Sequence, residues 1–262
     1  MTSPVDTGAR PPRGRLFLVP MPLGDMSPGH CLPQATLDVI AALDRFVAEN
    51  ARTARRFLAQ VRLSRPLQEL KIEELNEHSG ETDLPGLLEP LLAGQDVGLV
   101  SEAGCPVVAD PGAGLVALAH RHGVPVVALV GPSAPLLALI ASGFNGQSFT
   151  FAGYLPQQAQ ARADAIRRLD REVRSSGTTQ ILIETPYRNA AMLDALISTC
   201  EDSTLVAVAA DLTLPTELVL VKPASEWRAT PRPLLDRRPA VFLLGRSSSA
   251  PSAHGRARRR RP

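Results

Sequence analysis

Short apolar runs alternate along the chain with segments whose apolar residues recur at helical spacing. The run VGLV at residues 97–100 has the length and β-branched content typical of a buried strand. Residues 31–43 instead place Leu37, Ile40 and Ala41 at the spacing of one helix face. This alternation is typical of an α/β fold. The predicted strands cover residues 15–20, 45–48, 70–75, 97–100, 124–130, 180–183, 205–209 and 240–245, and the predicted helices cover residues 31–43, 84–93, 115–121, 135–142, 161–174 and 189–197.

The loop SEAGCP at residues 101–106 follows the central apolar run. Small residues with a glycine and a proline let the backbone turn sharply and let a ligand approach closely. An ordinary strand-to-helix connection would show the same residues, because a glycine-rich loop alone is a weak signal. Glu102 favours a ligand, since a carboxylate at the carboxyl end of a buried strand is poorly placed for packing. The loop is therefore the first candidate for a binding site.

Composition limits the class of protein. The chain has 262 residues, 44% of them hydrophobic and 21% charged, which is enough for two α/β domains or one large one. No apolar run is long enough to span a bilayer, and the N-terminal residues lack the apolar segment of a secretory signal. Cys31, Cys105 and Cys200 match no zinc spacing and suggest reduced thiols. We therefore expect a cytoplasmic protein with no membrane segment and no metal site.

Charge is distributed unevenly along the chain. The net charge of +2 argues against a body that binds nucleic acid through strong overall basicity. Residues 254–262, HGRARRRRP, are strongly basic, but such runs are often solubilising or nonspecific arms and identify no partner. We expect residues 1–14 and the basic tail at 247–262 to be disordered, because their composition forms no packed core.

The sequence SEAGCPVVADPG at residues 101–112 resembles the SDAGTP and SDPG signature of the tetrapyrrole methylase superfamily. It is most similar to the branch that methylates a cytidine 2′-hydroxyl in bacterial small-subunit ribosomal RNA. The resemblance implies two α/β domains, each a mixed or mostly parallel sheet flanked by helices, with S-adenosylmethionine in the cleft between them. We place these domains at residues 15–153 and 154–246, and the family resemblance also implies a homodimer.

Further segments resemble the family's cofactor loops and occur in the family's order. Residues 21–25, MPLGD, resemble the loop after its first strand, and residues 131–134, GPSA, resemble its PGPSA motif. Residues 149–156 resemble its FxGFLP segment, and residues 211–213, DLT, resemble its RELT motif. The resemblance implies that the cofactor contacts are made by Leu23, Gly24, Glu102, Ala103, Gly104, Cys105, Ser133, Ala134, Tyr154 and Leu212.

The segments that resemble substrate-contacting motifs are less well kept. Residues 49–53, ENART, resemble an EDTR motif with Asn50 in place of aspartate, and residues 184–188, ETPYR, resemble ESPHR with Tyr187 in place of histidine. Leu214 stands where the family continues with lysine. The departures fall in the segments that the resemblance implies contact the substrate, whereas the cofactor loops are better kept. The implied substrate contacts are Glu49, Arg52, Arg55, Glu184 and Arg188.

The arginines of the first of these segments have a simpler interpretation. Arg55 and Arg56 match paired basic residues in a helix of the family. From the residues alone, these arginines indicate a solvated helix face, and contact with RNA phosphate is the alternative.

Methyl transfer from S-adenosylmethionine is an in-line displacement that needs alignment of the two reactants and removal of the acceptor's proton. Glu102 is the candidate catalytic carboxylate. It could also hold the methionine ammonium group or order the loop, and we favour cofactor positioning over base catalysis. Glu49 and Glu184 are secondary candidates, and Arg188 could neutralise a phosphate.

Three hypotheses for function follow. A ribose 2′-O-methyltransferase acting on small-subunit ribosomal RNA would bind RNA with an affinity that depends on salt. A tetrapyrrole or other small-molecule methylase on the same scaffold would bind no RNA and would have an apolar cavity. A paralogue without catalytic activity would bind the cofactor or RNA without turnover.

Overall fold

The computed structural model describes residues 12–76, 79–80 and 82–246. The disorder predicted for residues 1–11 and for the basic tail at 247–262 falls on residues outside the described ones. Gly14 belongs to the segment for which disorder is predicted, yet it is buried and its N–H donates to the Leu91 carbonyl at 2.9 Å. This hydrogen bond joins the chain just before the first strand to the segment that contains Leu91.

The chain divides into two compact units, Met1–Pro132 and Ser133–Pro262. The sequence-based boundary lies later, between residues 153 and 154. The division falls earlier because the strand Phe149–Tyr154 pairs in parallel with the strand Thr179–Ile183 of the second unit. Ser133 and Ala134 therefore belong to the second unit, although the predicted boundary assigned them to the first domain.

The first unit is a five-stranded parallel sheet flanked by helices. Its strands are ordered β3-β2-β4-β1-β5, and every neighbouring pair is parallel. The strands are β1 (Leu16–Val19), β2 (Arg45–Ala48), β3 (Lys71–Glu74), β4 (Val97–Val100) and β5 (Val126–Ala128), and the helices are α1 (Gln34–Ala42), α2 (Ala51–Leu58), α3 (Leu84–Leu92) and α4 (Ala113–Arg121).

Both faces of this sheet are covered. Successive side chains of a strand point to opposite faces, and Phe46 and Val47 of β2 belong to different apolar clusters. Ile40 of α1 lies in the cluster of Phe46, whereas Leu91 of α3 and Leu115 of α4 lie in that of Val47. Burial on both faces explains why β4 is a continuous apolar run and not an alternating one.

The order of the strands creates a switch point between β1 and β4. The chain leaves β1 for β2 on one side and leaves β4 for β5 on the other, although β1 and β4 are neighbours. Open α/β sheets bind ligands outside the carboxyl ends of such strands, because the connecting segments diverge there and leave a crevice.

The second unit is a mixed five-stranded sheet ordered β6-β7-β10-β8-β9. Only β6 and β7 pair in parallel, and the remaining pairs are antiparallel. Its strands are β6 (Phe149–Tyr154), β7 (Thr179–Ile183), β8 (Leu205–Ala210), β9 (Leu218–Pro223) and β10 (Ala240–Gly245), and its helices are α5 (Ala134–Ser142), α6 (Ala159–Ser176), α7 (Asn189–Thr199) and α8 (Ala224–Ala229). The predicted α/β class with mixed or mostly parallel sheets is confirmed.

The segment before the last strand is better ordered than its composition indicates. Residues 223–239 are rich in proline and arginine, a composition typical of an irregular connection. The structure instead places α8 at its start, and Trp227 of α8 is fully buried. The Trp227 indole N–H donates to the Val206 carbonyl at 2.9 Å, so α8 is anchored on β8.

Among the described residues, none of the helices combines the length and apolar character that crossing a bilayer would require.

Candidate active site

The loops that follow β1 and β4 are joined at the switch point. Met21 donates its N–H to the Gly104 carbonyl at 2.8 Å, and Gly104 donates its N–H to the Met21 carbonyl at 3.0 Å. Ser101, buried at the end of β4, donates its hydroxyl to the same Gly104 carbonyl at 3.0 Å. These three hydrogen bonds join the two loops through a short antiparallel β-bridge.

Glycine is required where these loops approach one another. Gly104 has φ +72°, and a Cβ there would lie 3.1 Å from the Leu23 side chain. At Gly131, after β5, a Cβ would lie 2.3 Å from the Pro20 ring. Cys105 donates its thiol to the Pro132 carbonyl at 3.3 Å. The loops after β1, β4 and β5 therefore contact one another closely.

A cavity of about 260 Å³ lies on the outer side of the β1 and β4 loops. Residues 21–26 line one part of it, and Glu102 and Ala103 line another. The remaining wall is one face of α2, whose contributing residues recur at the spacing i, i+3, i+4 and i+7. These residues are Thr53, Arg56, Phe57 and Gln60.

Helix α2 is fixed at its start by two side chains. Asn50 is its N-cap, and the Asn50 side-chain oxygen accepts hydrogen bonds from the N–H groups of Arg52 at 2.9 Å and Thr53 at 3.1 Å. Glu74, at the end of β3, accepts the N–H of Ala51 at 2.9 Å. Asparagine and aspartate are equally good N-caps, so Asn50 keeps this structural role where the related motif has aspartate.

Three carboxylates interact at the carboxyl ends of β2 and β4. Burial raises the pKa of Asp110 to about 6, and the negative charges of Glu49 and Glu102 act in the same direction. The segment leading to Asp110 is strained, because Val107 has φ 74° and Ala109 has φ 64°. Asp110 was not predicted from the sequence, since only the folded loop brings it near the other two carboxylates.

The predicted site residues of the first unit fall into three groups. Leu23, Gly24, Glu102 and Ala103 line the cavity. Gly104 and Cys105 join the loops behind it. Arg52 and Arg55 are exposed on α2 and do not line the cavity.

Arg56, for which RNA-phosphate contact was the alternative interpretation, also lines the cavity. Thr53 and Gln60 line it as well and were not predicted from the sequence. Their signal was the helical spacing that continues from the N-cap Asn50, which sets the face of α2 that turns toward the loops.

In the second unit, the predicted substrate-contacting carboxylate of Glu184 is hydrogen-bonded to neighbouring residues of the same segment. Glu184 follows β7, and its side chain is 1% exposed. Its Oε1 atom accepts the Arg188 guanidinium at 2.5 Å and the Thr185 N–H at 2.7 Å. This ion pair fixes the turn that carries Tyr187, whose side chain is exposed.

The segment Asp211-Leu212-Thr213 forms a second strained turn. Asp211 has φ 51° and Thr213 has φ 73°. The Asp211 carboxylate accepts hydrogen bonds at 2.8 Å from both the Thr216 hydroxyl and the Arg238 guanidinium. Leu212 is held between the two strained residues and is buried.

The remaining predicted cofactor residues lie at the ends of elements of the second unit. Ser133 is the N-cap of α5 and makes no side-chain capping hydrogen bond, and Ala134 is the first residue of that helix. Tyr154 is the exposed last residue of β6.

The residues of the first-unit cavity fit S-adenosylmethionine. Its ammonium and sulfonium groups are cationic, and Glu102 offers an exposed carboxylate to such groups. Gly104 keeps the adjoining wall free of a side chain. Within residues 12–76, 79–80 and 82–246, no three His, Cys, Asp or Glu side chains are grouped in a way that could hold a metal ion.

Comparison with known sequences identifies relatives along most of the chain. A family model described as tetrapyrrole (corrin/porphyrin) methylases matches residues 15–227. A protein of Vibrio cholerae named ribosomal RNA small subunit methyltransferase I is 33% identical over 80% of this chain and 69% of its own length. Proteins of the same name from Escherichia coli O157:H7 and Mesorhizobium japonicum are 30% and 34% identical, over 88% and 81% of this chain and 77% and 68% of their own lengths.

Two solved structures share the fold. The methyltransferase CobJ matches with a TM-score of 0.60 at 19% identity, over 89% of this chain and 95% of its own. A uroporphyrin-III-C-methyltransferase from Thermus thermophilus matches with a TM-score of 0.51 at 19% identity, over 89% and 93% of the two chains. The match of the family model over residues 15–227 shows that the chain belongs to the tetrapyrrole (corrin/porphyrin) methylase family.

Proposed function

We propose that this chain is an S-adenosylmethionine-dependent methyltransferase that modifies a ribose 2′-hydroxyl in small-subunit ribosomal RNA. The observation that carries the proposal is the cavity at the β1/β4 switch point, which is lined by Glu102 and by the basic helix α2. The names of the relatives from Vibrio cholerae and Escherichia coli O157:H7 support ribosomal RNA as the substrate class.

The cofactor would be held by the bridged loops after β1 and β4 in the first unit. When bound, S-adenosylmethionine supplies a methyl group activated by its sulfonium. Glu102 faces the cationic groups of the cofactor in this proposal, because its carboxylate lines the cavity. The hydrogen-bonded pair Met21 and Gly104 keeps the two loops at a fixed separation, so the wall needs no rearrangement on binding.

Helix α2 supplies charge suited to RNA. Arg52, Arg55 and Arg56 are exposed on this short helix, and none of the three forms an ion pair within the part of the chain that the structure describes. Guanidinium groups bind phosphate through paired N–H donors. Arg56 lines the cavity itself, so α2 would place the RNA backbone beside the cofactor.

The acceptor hydroxyl must lose a proton during methyl transfer. Glu102 and Asp110 are the two carboxylates of the β4 loop that could accept it. With a pKa of about 6, Asp110 would be ionised at neutral pH and able to take a proton. Glu102 lines the cavity directly, so cofactor contact is the role we assign to it.

The test uses the purified chain, S-adenosylmethionine labelled in its methyl group, and small ribosomal subunits from a strain that lacks the corresponding methylation. We expect label at one nucleotide that resists alkaline hydrolysis, because a 2′-O-methyl group prevents cleavage there. Cofactor binding measured separately by calorimetry, with no label in the RNA, would contradict the ribosomal assignment. Label in a tetrapyrrole acceptor would then indicate a small-molecule methylase.

We also propose that the chain is a homodimer that acts in the cytoplasm. Leu136 and Ile140 lie one turn apart on α5 and are both exposed, which provides an apolar surface for a second copy. Light scattering coupled to gel filtration should give twice the monomer mass, and a monomer mass would contradict the dimer. Cell fractionation with a ribosome marker tests the location.

A further inference from the structure

A groove of about 760 Å³ runs along the second unit between α6 and α7. Ala159 and Ala163 of α6 face Ala191 and Ala195 of α7 across it. These four side chains are too small to fill the space between the helices at this point, so the groove stays open.

Positive charge lines this groove. Arg162, Arg228 and Arg232 contribute three guanidinium groups to its lining, whereas Asp194 contributes one carboxylate. The Arg232 guanidinium pairs with Asp194 at 3.1 Å, so this carboxylate is already engaged. The Arg228 guanidinium pairs with Asp202, which lies outside the lining. Among the described residues, Arg162 is therefore the guanidinium of the lining that no carboxylate neutralises.

Two of these arginines are held in place by the backbone. The Arg228 guanidinium donates to the carbonyls of Ile197 at 2.9 Å and Cys200 at 2.6 Å, at the end of α7. The Arg232 guanidinium donates to the Thr230 carbonyl at 2.8 Å. These contacts fix both charges beside the groove before any ligand arrives.

Arg162 occupies a position that helical periodicity assigns to the core. It lies on the same stripe of α6 as Ile166, Leu169 and Val173, all of which are buried. Its Nη1 atom donates to the Gln157 carbonyl at 3.2 Å, but its Nε atom is buried with no hydrogen-bond partner. A charged donor left unsatisfied is costly, and an anion in the groove that this side chain lines would offer it an acceptor.

The start of α6 adds donors at the same place. The 18-residue helix has Gln158 as its N-cap without a side-chain capping hydrogen bond, and it carries no acidic residue in its first turn. Ala159, its first residue, lines the groove. Uncapped N–H groups and the positive end of the helix dipole favour an anion here.

We propose that this groove binds a phosphodiester of the RNA backbone, as an anchoring site separate from the cavity of the first unit. The inference rests on the proposed function, because RNA is the polyanion that the proposed reaction brings to the protein. Guanidinium groups and helix N-terminal N–H donors are the two kinds of donor that recognise phosphate.

The experiment measures binding of a transcript of small-subunit ribosomal RNA by filter retention over a range of KCl concentrations. We expect Arg162→Gln to weaken binding about threefold to tenfold and to reduce the slope of log K against log [KCl] by about 0.7 to 0.9, the value for one neutralised phosphate. Arg162→Lys, which keeps the charge, should retain most of the slope.

Arg171→Gln is the matched control. Arg171 is exposed on α6, nine residues after Arg162, and therefore lies on the opposite side of the helix. The substitution Arg171→Gln removes the same charge but should leave the RNA affinity and its salt slope unchanged. Circular dichroism checks that each variant is folded, and calorimetry should give an unchanged Kd for S-adenosylmethionine.

The outcomes separate this inference from the proposed function. Unchanged RNA binding by Arg162→Gln, or equal losses for Arg162→Gln and Arg171→Gln, would overturn the proposal that the groove binds phosphate. The proposed function would still hold if the unmodified chain methylates RNA. An effect of Arg162→Gln on intact subunits but not on bare RNA would assign the groove to a ribosomal protein and overturn the inference. A chain that binds no RNA would overturn both.

Discussion

Two carboxylates of the loop after β4 lie in different surroundings and should behave differently. Glu102 is exposed and lines the cavity, so its charge is available to a ligand. Asp110 is partly buried beside Glu49 and Glu102, and its pKa is raised to about 6. Glu102 could be identified from its position after a buried strand. Asp110 could not, because the turn through Val107 and Ala109 has no sequence signal.

Glu102→Gln should weaken the binding of S-adenosylmethionine about tenfold, or roughly 1.4 kcal/mol, because the cationic groups lose a carboxylate partner. The free energy of unfolding should change by less than about 0.5 kcal/mol, since the residue is exposed. Calorimetric titration measures the affinity. Glu89→Gln, at an exposed position of α3, is the control, and equal affinities for both variants would contradict the assignment.

Asp110 should make stability depend on pH. Its pKa is raised from 3.8 to about 6 in the folded chain, so its contribution is fully present below pH 3.8 and is lost as pH rises through 6. Asp110→Asn should therefore gain about 1 kcal/mol over the unmodified chain between pH 4 and pH 7.5, a value reduced for partial solvent screening. Urea unfolding at both pH values measures this. A difference that is independent of pH would refute it.

At the scale of elements, helix α2 shows how a local rule positions a site. Its face toward the cavity is set by where it begins, and Asn50 determines that start. The apolar patterns predicted strand β2 with its observed bounds. They did not predict β6, β9 and α8. For α8 the reason is that the proline and arginine residues around Trp227 hide the pattern on which the helix depends.

Asn50→Ala should lower the free energy of unfolding by about 1 kcal/mol, since two N–H groups at the start of α2 lose their acceptor. Asn50→Asp should cost little, because aspartate caps equally well. Urea unfolding of the three proteins gives the comparison. A loss as large for Asn50→Asp as for Asn50→Ala would show that the cap is not the stabilising contact.

At the scale of the whole molecule, the proposed function places basic residues in both units. Arg52 and Arg55 belong to the first unit, whereas Arg162 belongs to the second. The family motifs predicted two α/β domains, and the two sheets bear this out. The division could not be located from those motifs, because the pairing of β6 with β7 joins residues separated in sequence by the whole of α6.

Arg52→Gln with Arg55→Gln should reduce the salt slope of RNA binding by about 1.4, or about 0.7 for each phosphate of a single strand that is no longer neutralised. Adding Arg162→Gln should lower the affinity further, because it removes a third guanidinium that would neutralise a phosphate. Filter retention measures both. Arg121→Gln, at the exposed end of α4, is the control, and an equal effect of this change would contradict the role of α2.

The Cys105 thiol donates a hydrogen bond to the Pro132 carbonyl, so the reactivity of this thiol reports on the state of the β4 loop. Burial raises the pKa of the Cys105 thiol, so little thiolate exists at neutral pH and alkylating reagents should react slowly. Burial raises the pKa of Cys200 to about 12, which should leave that thiol almost inert. The rate of Cys105 alkylation, followed by peptide mass spectrometry, therefore reports how firmly the β4 loop is held against Pro132. A ligand that adds contacts to this loop should slow the reaction without any label being introduced.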